Sequence, residues 1–184
     1  MIEKIALTGA PGSGKSSIIR TLEYEWKEKV INEAAEDIIK YFKAKGIQEP
    51  WRLTDFQDTI LELQLQREAE REHEPGRVFI DRGFLDGLAY YQIQGKTPSE
   101  AMKKAIEDTR GRYQKVYLIE LGDNCEKTNI RKENLDEALK LQELQYQNYS
   151  NAGYDVERIP YTEIGQRTEK ILKCLAQLKG GDRR

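Results

Sequence analysis

Side chains that form disulfides or bind zinc are scarce in this sequence. Its 184 residues include two cysteines, Cys125 and Cys174, and one histidine, His73. Two cysteines outside any Cys-x-x-Cys pair exclude a disulfide framework, and a single histidine excludes a Cys/His zinc site. We therefore expect both cysteines to pack as small apolar side chains and His73 to occupy an exposed turn.

Long apolar segments and an excess of one charge are absent too. No apolar run approaches the roughly 20 residues that cross a bilayer. The N-terminal apolar run is short and interrupted by Glu3 and Lys4, so we do not expect it to act as a signal peptide. The 30 basic and 32 acidic residues leave a net charge of −2. This balance does not favour a broad nucleic-acid surface or a polybasic membrane anchor. We predict a cytoplasmic protein without a membrane partner, and nucleic acid is disfavoured as a partner.

Short apolar segments alternate with longer segments of helical periodicity. The apolar segments predict strands at residues 5–8, 30–32, 78–81, 116–121 and 154–159. The periodic segments predict helices at residues 16–22, 33–44, 54–72, 85–92, 99–110, 136–149 and 164–178, with Thr54 as the N-cap of the third. Buried strands that alternate with helices form a parallel sheet covered on both faces. We therefore expect one three-layer α/β domain with a five-stranded parallel sheet over residues 1–179, and a polar tail at 180–184.

A glycine-rich motif follows the first predicted strand. Residues 9–16, Gly-Ala-Pro-Gly-Ser-Gly-Lys-Ser, fit the P-loop pattern G-x4-G-K-[ST]. The glycines let successive backbone N–H groups point inward, and the helix N-terminus adds partial positive charge. Lys15 is expected to reach the β- and γ-phosphates of ATP and Ser16 to ligate Mg²⁺. The residues expected to bind the nucleotide are Gly9, Pro11, Gly12, Ser13, Gly14, Lys15, Ser16 and Ser17.

Other motifs narrow the class of P-loop protein. The sequence contains no Asn-Lys-x-Asp guanine reader and no Ser-Gly-Gly signature of ABC proteins, and its third strand ends in Asp81-Arg82-Gly83 rather than in a pair of acidic residues. An aspartate followed by arginine is typical of small-molecule kinases, in which the carboxylate serves Mg²⁺ or the acceptor hydroxyl and the arginine holds an anion.

Three segments of the chain resemble the AAA_28-type family of P-loop ATP-binding proteins. They are residues 32–39 (Asn-Glu-Ala-Ala-Glu-Asp-Ile-Ile), the helix segment 56–68, and residues 81–90, which begin Asp-Arg-Gly-Phe-Leu-Asp-Gly. This family is similar to the nicotinamide riboside kinase domain of NadR proteins and, more remotely, to deoxynucleoside and thymidylate kinases. The resemblance implies a P-loop NTPase fold with a kinase-type lid at about residues 123–135. Members often carry Glu-Ala-Ala-Arg, where this chain has Glu36 as the last residue.

The resemblance implies catalytic roles for residues at the sheet edge. Glu33 corresponds to a carboxylate that accepts the proton of the acceptor hydroxyl; the alternative is an acidic residue that favours the first turn of a helix. Asp81 is expected to reach the metal, and either Glu33 or Asp81 is the general base. Arg82 is expected to hold a phosphate or sugar. The alternative for Asp81 and Arg82 is a structural ion pair between them.

Further candidates lie on helices and in the lid. In the lid, Arg131, next to Lys132, is expected to close over the phosphates; an ordinary exposed basic pair is the alternative. One face of the third helix, with Gln57, Gln64 and Arg67 or Glu68, is a candidate reader of the acceptor base, with a solvated helix face as the alternative. Asp86 is a candidate hydrogen-bond partner of the active-site loop. Four tyrosines are expected either to pack in the core or to stack on a ligand: Tyr90, Tyr146, Tyr149 and Tyr154.

Together these motifs predict an ATP- and Mg²⁺-dependent phosphotransferase. Its partner is a small-molecule phosphate acceptor, with a nucleoside or nucleotide preferred, and neither its identity nor the oligomeric state is indicated. The alternative is a slow ATPase or nucleotide-responsive switch that acts through a protein partner, suggested by Glu36 and by the few arginines of the lid. A polynucleotide end kinase is disfavoured by the overall charge.

Overall fold

Five strands of the described chain form one parallel sheet with the order β2-β3-β1-β4-β5. The computed structural model describes residues 2–108, 111–122 and 135–181, with backbone alone for 178–181. The strands are β1 (Glu3–Thr8), β2 (Lys29–Ile31), β3 (Arg77–Asp81), β4 (Lys115–Ile119) and β5 (Val156–Ile159). The helices are α1 (Lys15–Tyr24), α2 (Ala34–Ala44), α3 (Phe56–Glu70), α4 (Asp86–Ile93), α5 (Glu100–Asp108), α6 (Leu135–Asn151) and α7 (Ile164–Gly181).

Apolar side chains that alternate along the strands divide the core between the two faces of the sheet. On β1, Ile5 and Leu7 face α1 and α7, where they pack in a cluster with Ile18 and Ile171. Ala6 belongs to the cluster on the opposite face, which includes residues of α3 to α6. Since successive side chains of a strand point to opposite faces, both faces are buried. The predicted three-layer α/β fold is confirmed.

The register of the central strands places the site residues at one edge of the sheet. Leu7 of β1 pairs with Asp81 of β3, and Thr8 pairs with Leu118 of β4. The carboxyl ends of these parallel strands therefore lie side by side. The turns that follow them carry the P-loop and the Asp81-Arg82-Gly83 segment.

Several predicted boundaries are wrong by a few residues. Thr54 does not cap α3, because a 3-10 turn at Pro50–Arg52 precedes the helix and Asp55 occupies the N-cap position. Leu121 is not in β4, since its amide donates to the side chain of Gln142 on α6 instead of extending the sheet. Tyr154 is not in β5, because its amide bonds to the Tyr149 carbonyl at the end of α6.

The remaining expectations of the fold concern the tail, the cysteines and the histidine. Helix α7 runs to Gly181, so the first two residues of the expected polar tail are helical. Cys174 packs half-buried beside the cluster of α1 and α7, and His73 is exposed in a turn, both as expected. Cys125 lies outside the described residues. Within the described residues, no helix is long and apolar enough to span a membrane.

Candidate active site

The P-loop lies between β1 and α1 in a backbone conformation that requires glycine. Gly9, Gly12 and Gly14 have φ angles of 139°, 82° and 94°, in the region that L side chains rarely adopt. A Cβ atom on Gly9 would lie 2.4 Å from the backbone oxygen of Ile119 on β4. The sequence motif is therefore matched by the loop geometry that phosphate binding needs.

Lys15, the first residue of α1, points back into the loop. Its Nζ donates hydrogen bonds to the Ala10 carbonyl at 2.8 Å and to Ser13 Oγ at 3.2 Å. Burial, reinforced by the nearby charge of Arg82, lowers the pKa of Lys15 to about 7. The amine thus lies inside the ring of backbone groups, where the motif predicts contact with phosphate.

Ser16 and Asp81 form the part of the site that suits a metal ion. Ser16 Oγ donates a hydrogen bond to Asp81 Oδ2 at 3.0 Å, while Asp81 Oδ1 is buried without a hydrogen-bond partner. Desolvation raises the pKa of Asp81. The described residues contain no cluster of three or more His, Cys, Asp or Glu side chains for a metal. Mg²⁺ needs no such cluster, since it is held by one or two protein oxygens together with phosphates and water, and the hydroxyl and the unpaired carboxylate oxygen fit it.

Arg82 contacts two carboxylates and the P-loop. Its Nε lies 2.8 Å from Glu33 Oε1, and its Nη1 lies 3.5 Å from Asp86 Oδ1. Nη1 also donates to the Gly9 carbonyl at 3.2 Å. The backbone of Arg82 has a φ of 68°, and its amide bonds to the Leu7 carbonyl at 3.0 Å. Arg82 therefore forms its close ion pairs with Glu33 and Asp86. The structural ion pair between Asp81 and Arg82, which the sequence analysis gave as an alternative, is not among them.

Asp86 is the centre of a buried hydrogen-bond network. It accepts bonds from Thr8 Oγ1 at 2.7 Å, from Gln145 Nε2 at 2.6 Å and from the Tyr149 hydroxyl at 3.1 Å. Burial raises the pKa of Asp86. The network joins β1 and α4 to α6. The carboxylate of Asp86 also faces Arg82. Tyr149 therefore contributes to packing and to this network.

Arg167 on α7 is a site residue that sequence reasoning missed. Only 3% of it is exposed, its Nη1 donates to the Ser13 carbonyl at 2.7 Å, and its guanidinium lies 4.9 Å from the centre of the Tyr161 ring. Its buried Nε has no hydrogen-bond partner. No local motif marks this arginine, because its partner in the P-loop is 154 residues away in the sequence.

A cavity of about 1030 Å³ connects these groups. Its wall includes P-loop residues from Pro11 to Ser17, together with the predicted residues Glu33, Gln57, Gln64, Arg82, Asp86 and Tyr90. Gly9 and Asp81 lie behind this wall, in contact with Arg82 and Ser16 respectively. The cavity also reaches Tyr161, Ile164 and Arg167. Its volume lies just above the usual range for ligand pockets, about 300–1000 Å³.

Other predicted residues do not meet at the cavity. Arg67 pairs with Asp37 and donates to the Asn32 carbonyl, away from the P-loop. Glu68 is fully buried and accepts hydrogen bonds from Gln64, Arg112 and Tyr113. The two glutamines and the two charged residues of α3 therefore do not form one substrate-reading face. Arg131 and Lys132, with most of the predicted lid, lie outside the described residues.

The remaining tyrosines are structural. The guanidinium of Arg158 packs over the ring of Tyr146, 4.0 Å from the ring centre. Tyr154 packs with Tyr113 and Tyr149 in an aromatic cluster, with ring centres 5.7 and 5.8 Å apart. Neither Tyr146 nor Tyr154 lines the cavity.

A P-loop after the first strand of a parallel sheet, with Asp81 behind Ser16, defines a P-loop nucleotide-binding fold. The chain belongs to the AAA_28 family, whose sequence profile, described as an AAA domain, matches residues 4–167. No curated protein matches the sequence at a significant level.

Solved structures that match this fold include NadR, a thymidylate kinase and a deoxyadenosine kinase. A structure of NadR in complex with NAD and AMP-PNP matches with a TM-score of 0.71 and 16% identity, over 97% of this chain and 50% of that one. Thymidylate kinase from Candida albicans matches with a TM-score of 0.69 and 14% identity, over 97% and 92% of the two chains. Deoxyadenosine kinase from M. mycoides with bound dATP matches with a TM-score of 0.63 and 16% identity, over 94% and 99%. The predicted P-loop NTPase fold with its five-stranded parallel sheet is confirmed, while the predicted kinase-type lid lies for the most part outside the described residues.

Proposed function

We propose that the protein is an ATP-dependent kinase of a small-molecule alcohol. The observation that carries this proposal is the cavity, whose wall combines the P-loop and the Glu33–Arg82 pair with further side chains of α2 to α5 and of the 3-10 turn. A protein that only bound ATP would need no such additional wall. The relatives that share the fold and bind dATP or AMP-PNP support a purine nucleotide as the donor.

The donor side of the cavity is built by α1 and α7. The inward backbone amides of the P-loop and Lys15 bind the phosphates. Tyr161 and Ile164 line the cavity beside the P-loop and offer an apolar surface for the donor base. Arg167 holds the Ser13 carbonyl in place and thereby positions the loop.

Ser16 and Asp81 are the residues that would hold Mg²⁺. The ion supplies positive charge that neutralises the phosphate oxygens during transfer. Their direct hydrogen bond and the unpaired Asp81 oxygen make this pair the metal side of the site.

Glu33 is better placed than Asp81 to act as the general base. It lines the cavity, with 18% of its side chain exposed, whereas Asp81 is 3% exposed and bonded to Ser16. The acceptor hydroxyl gives its proton to Glu33, and its oxygen forms a bond to the γ-phosphorus of ATP. The bond from that phosphorus to the β–γ bridging oxygen breaks, and its electron pair leaves with ADP. Arg82, paired with Glu33, is in position to stabilise the charge of the transferred group.

The alternative of a slow ATPase switch rests on Glu36 and on the few arginines of the predicted lid, most of which lies outside the described residues. The position of Glu36 gives that alternative no support. Glu36 is exposed on α2, and its carboxylate lies 3.7 Å from Lys40 Nζ. It does not line the cavity. This chain has Glu36 where family members often have arginine, and this difference does not alter the described wall of the site.

The decisive experiment measures ATP-dependent phosphorylation of a panel of nucleosides and nucleotides, with ADP release and the phosphorylated product followed together. We expect Glu33→Gln to lower kcat by about 10²–10⁴-fold, because a general base contributes that much, with little change in the KM for ATP. Glu36→Gln is the matched control, and it should leave kcat unchanged. If no acceptor raises ADP release above the rate of hydrolysis, and Glu33→Gln leaves that rate unchanged, the kinase proposal is wrong and the ATPase alternative stands.

A further inference from the structure

Arg167 differs from the other buried arginines of the described chain in its charge environment. Six described arginines that are at least partly buried each form an ion pair with a carboxylate: Arg67, Arg71, Arg77, Arg82, Arg112 and Arg158. Arg167, which is 3% exposed, is more buried than any of them, and no described carboxylate pairs with it. Burial lowers its pKa, and no neighbouring carboxylate opposes this effect. A cation in such surroundings favours an anion beside it, because it has given up hydration without gaining a counter-charge.

The guanidinium of Arg167 lies against the turn at which the P-loop enters α1. Its Nη1 donates to the Ser13 carbonyl at 2.7 Å, and its Nη2 lies 2.9 Å from the position that a Cβ atom on Gly14 would occupy. Gly14 occupies the N-cap position of α1. The N–H groups of the first turn of a helix have no partner within the helix and bind anions. Arg167 therefore adds a full positive charge at an end of α1 that already attracts phosphate.

The cations on the described wall of the cavity fall into two groups. Arg82 is paired with Glu33 at 2.8 Å and with Asp86 at 3.5 Å. Lys15 and Arg167, the other described cations on the wall, bond to oxygen atoms of the P-loop and form no ion pair with a described carboxylate. The unbalanced positive charge of the wall is thus at the P-loop, where a donor nucleotide brings its negative charge. Because both cations are desolvated, they attract phosphate more strongly than cations in water do.

The neighbours of Arg167 indicate which phosphate it would reach. Its guanidinium lies 4.9 Å from the centre of the Tyr161 ring, and Tyr161 and Ile164 line the cavity at the surface proposed for the donor base. Lys15, on the other side, is expected at the β- and γ-phosphates. The α-phosphate connects these two parts of a nucleotide, and Arg167 lies between the two corresponding parts of the site.

We propose that Arg167 is a donor-binding residue, with the α-phosphate of the nucleotide as the anion that balances its charge. The proposal rests on the ATP-dependent function and adds to its donor site a residue that no sequence motif marks. The hydrogen bond to the Ser13 carbonyl fixes the guanidinium before the nucleotide arrives. Little conformational entropy of this side chain is therefore lost when the nucleotide binds.

The first test separates the charge of Arg167 from its hydrogen bond to the loop. Arg167→Gln retains an N–H group that can donate to the Ser13 carbonyl but removes the charge, whereas Arg167→Lys retains the charge. In calorimetry with ADP and Mg²⁺ as the probe, we expect Arg167→Gln to raise Kd at least about tenfold. Arg167→Lys should bind ADP at least about threefold more tightly than the glutamine variant does.

Arg158→Gln is the matched control for this comparison. Arg158 also packs over a tyrosine ring, but it is paired with Glu120 and Glu143 and does not line the cavity. Its replacement should leave the Kd for ADP unchanged. Thermal unfolding verifies that all the variants fold.

Two results of the first test would overturn the inference. Equal losses of ADP affinity in the two Arg167 variants would show that Arg167 only holds the loop. An Arg167→Gln protein that bound ADP as tightly as the native chain would remove any role in donor binding. Failure of the native chain to bind ADP or ATP would instead reject the ATP-dependent function itself.

The second test locates the phosphate and needs only the conservative variant. The ³¹P resonances of ADP bound with Mg²⁺ are compared between the native chain and Arg167→Lys. The α-phosphorus resonance should differ between the two complexes by more than the β-phosphorus resonance does. A β-phosphorus difference of equal or greater size would overturn the assignment of Arg167 to the α-phosphate.

Discussion

Arg82 combines a strained backbone with several polar contacts. Its φ of 68° is unfavourable for a residue with a Cβ atom. The conformation is retained because it lets the amide bond to Leu7 while the guanidinium contacts both Gly9 and Glu33. Strain of this kind is found where surrounding structure holds a functional side chain in place.

Two substitutions separate the strain at Arg82 from its contacts. Arg82→Ala and Arg82→Gly both remove the guanidinium, and both should abolish phosphotransfer. The glycine variant should be the more stable by about 0.5–1 kcal/mol, because glycine adopts positive φ without a steric cost and only its greater unfolded-state entropy opposes this gain. Urea unfolding measures the difference. A glycine variant less stable than the alanine variant would contradict the argument.

At the scale of elements, the P-loop is packed against the end of β4. Gly9→Ala would bring a Cβ atom to 2.4 Å from the Ile119 oxygen. Gly46, which ends α2, has a φ of 87° and no atom within 4 Å of its Cβ position. Gly46→Ala should cost about 1–2 kcal/mol from backbone strain alone, whereas Gly9→Ala should cost about 1–3 kcal/mol more from the clash. Equal losses in urea unfolding would show that β4 moves freely away from the loop.

Helix α6 is attached to α4 and β1 through Asp86. Tyr149→Phe removes the hydroxyl that donates to Asp86 Oδ2 and should lower the free energy of unfolding by about 1–2 kcal/mol, as expected for a buried hydrogen bond to a carboxylate. Tyr146→Phe is the control on the same helix, because it also removes a hydroxyl while the phenyl ring still packs against the guanidinium of Arg158. This control should change stability by less than about 0.5 kcal/mol. The two variants are compared by thermal and urea unfolding.

At the scale of the whole molecule, nucleotide binding should raise the free energy of unfolding. ATP with Mg²⁺ at a hundred times its Kd adds about 2.7 kcal/mol, which for a chain of this size corresponds to a Tm increase of about 5–10 °C. Lys15→Met should abolish this increase. Without nucleotide its Tm should be no lower than that of the native chain, because methionine removes the cost of burying the amine. A variant that retained the nucleotide-dependent shift would contradict the role of Lys15.

The parts of the molecule that were predictable from sequence depend on local patterns. The P-loop could be recognised because its glycines and Lys15 are adjacent, and Asp81 could be placed beside it because parallel strands end at one edge. Glu33 could be placed there for the same reason. The buried contacts of Glu68 and the contact of Arg167 with the P-loop could not be predicted. Each depends on partners from distant segments, Arg112 and Tyr113 in one case and Ser13 in the other.

The hydrogen bond from Arg167 to Ser13 also bears on the order in which contacts can form during folding. It joins α7 to the P-loop across 154 residues of sequence. Because contacts between distant segments form only after the intervening chain has folded back, the P-loop is held by its full set of contacts only once α7 has docked. A fragment that lacks α7 therefore contains the phosphate-binding motif without the side chain that holds its Ser13 carbonyl.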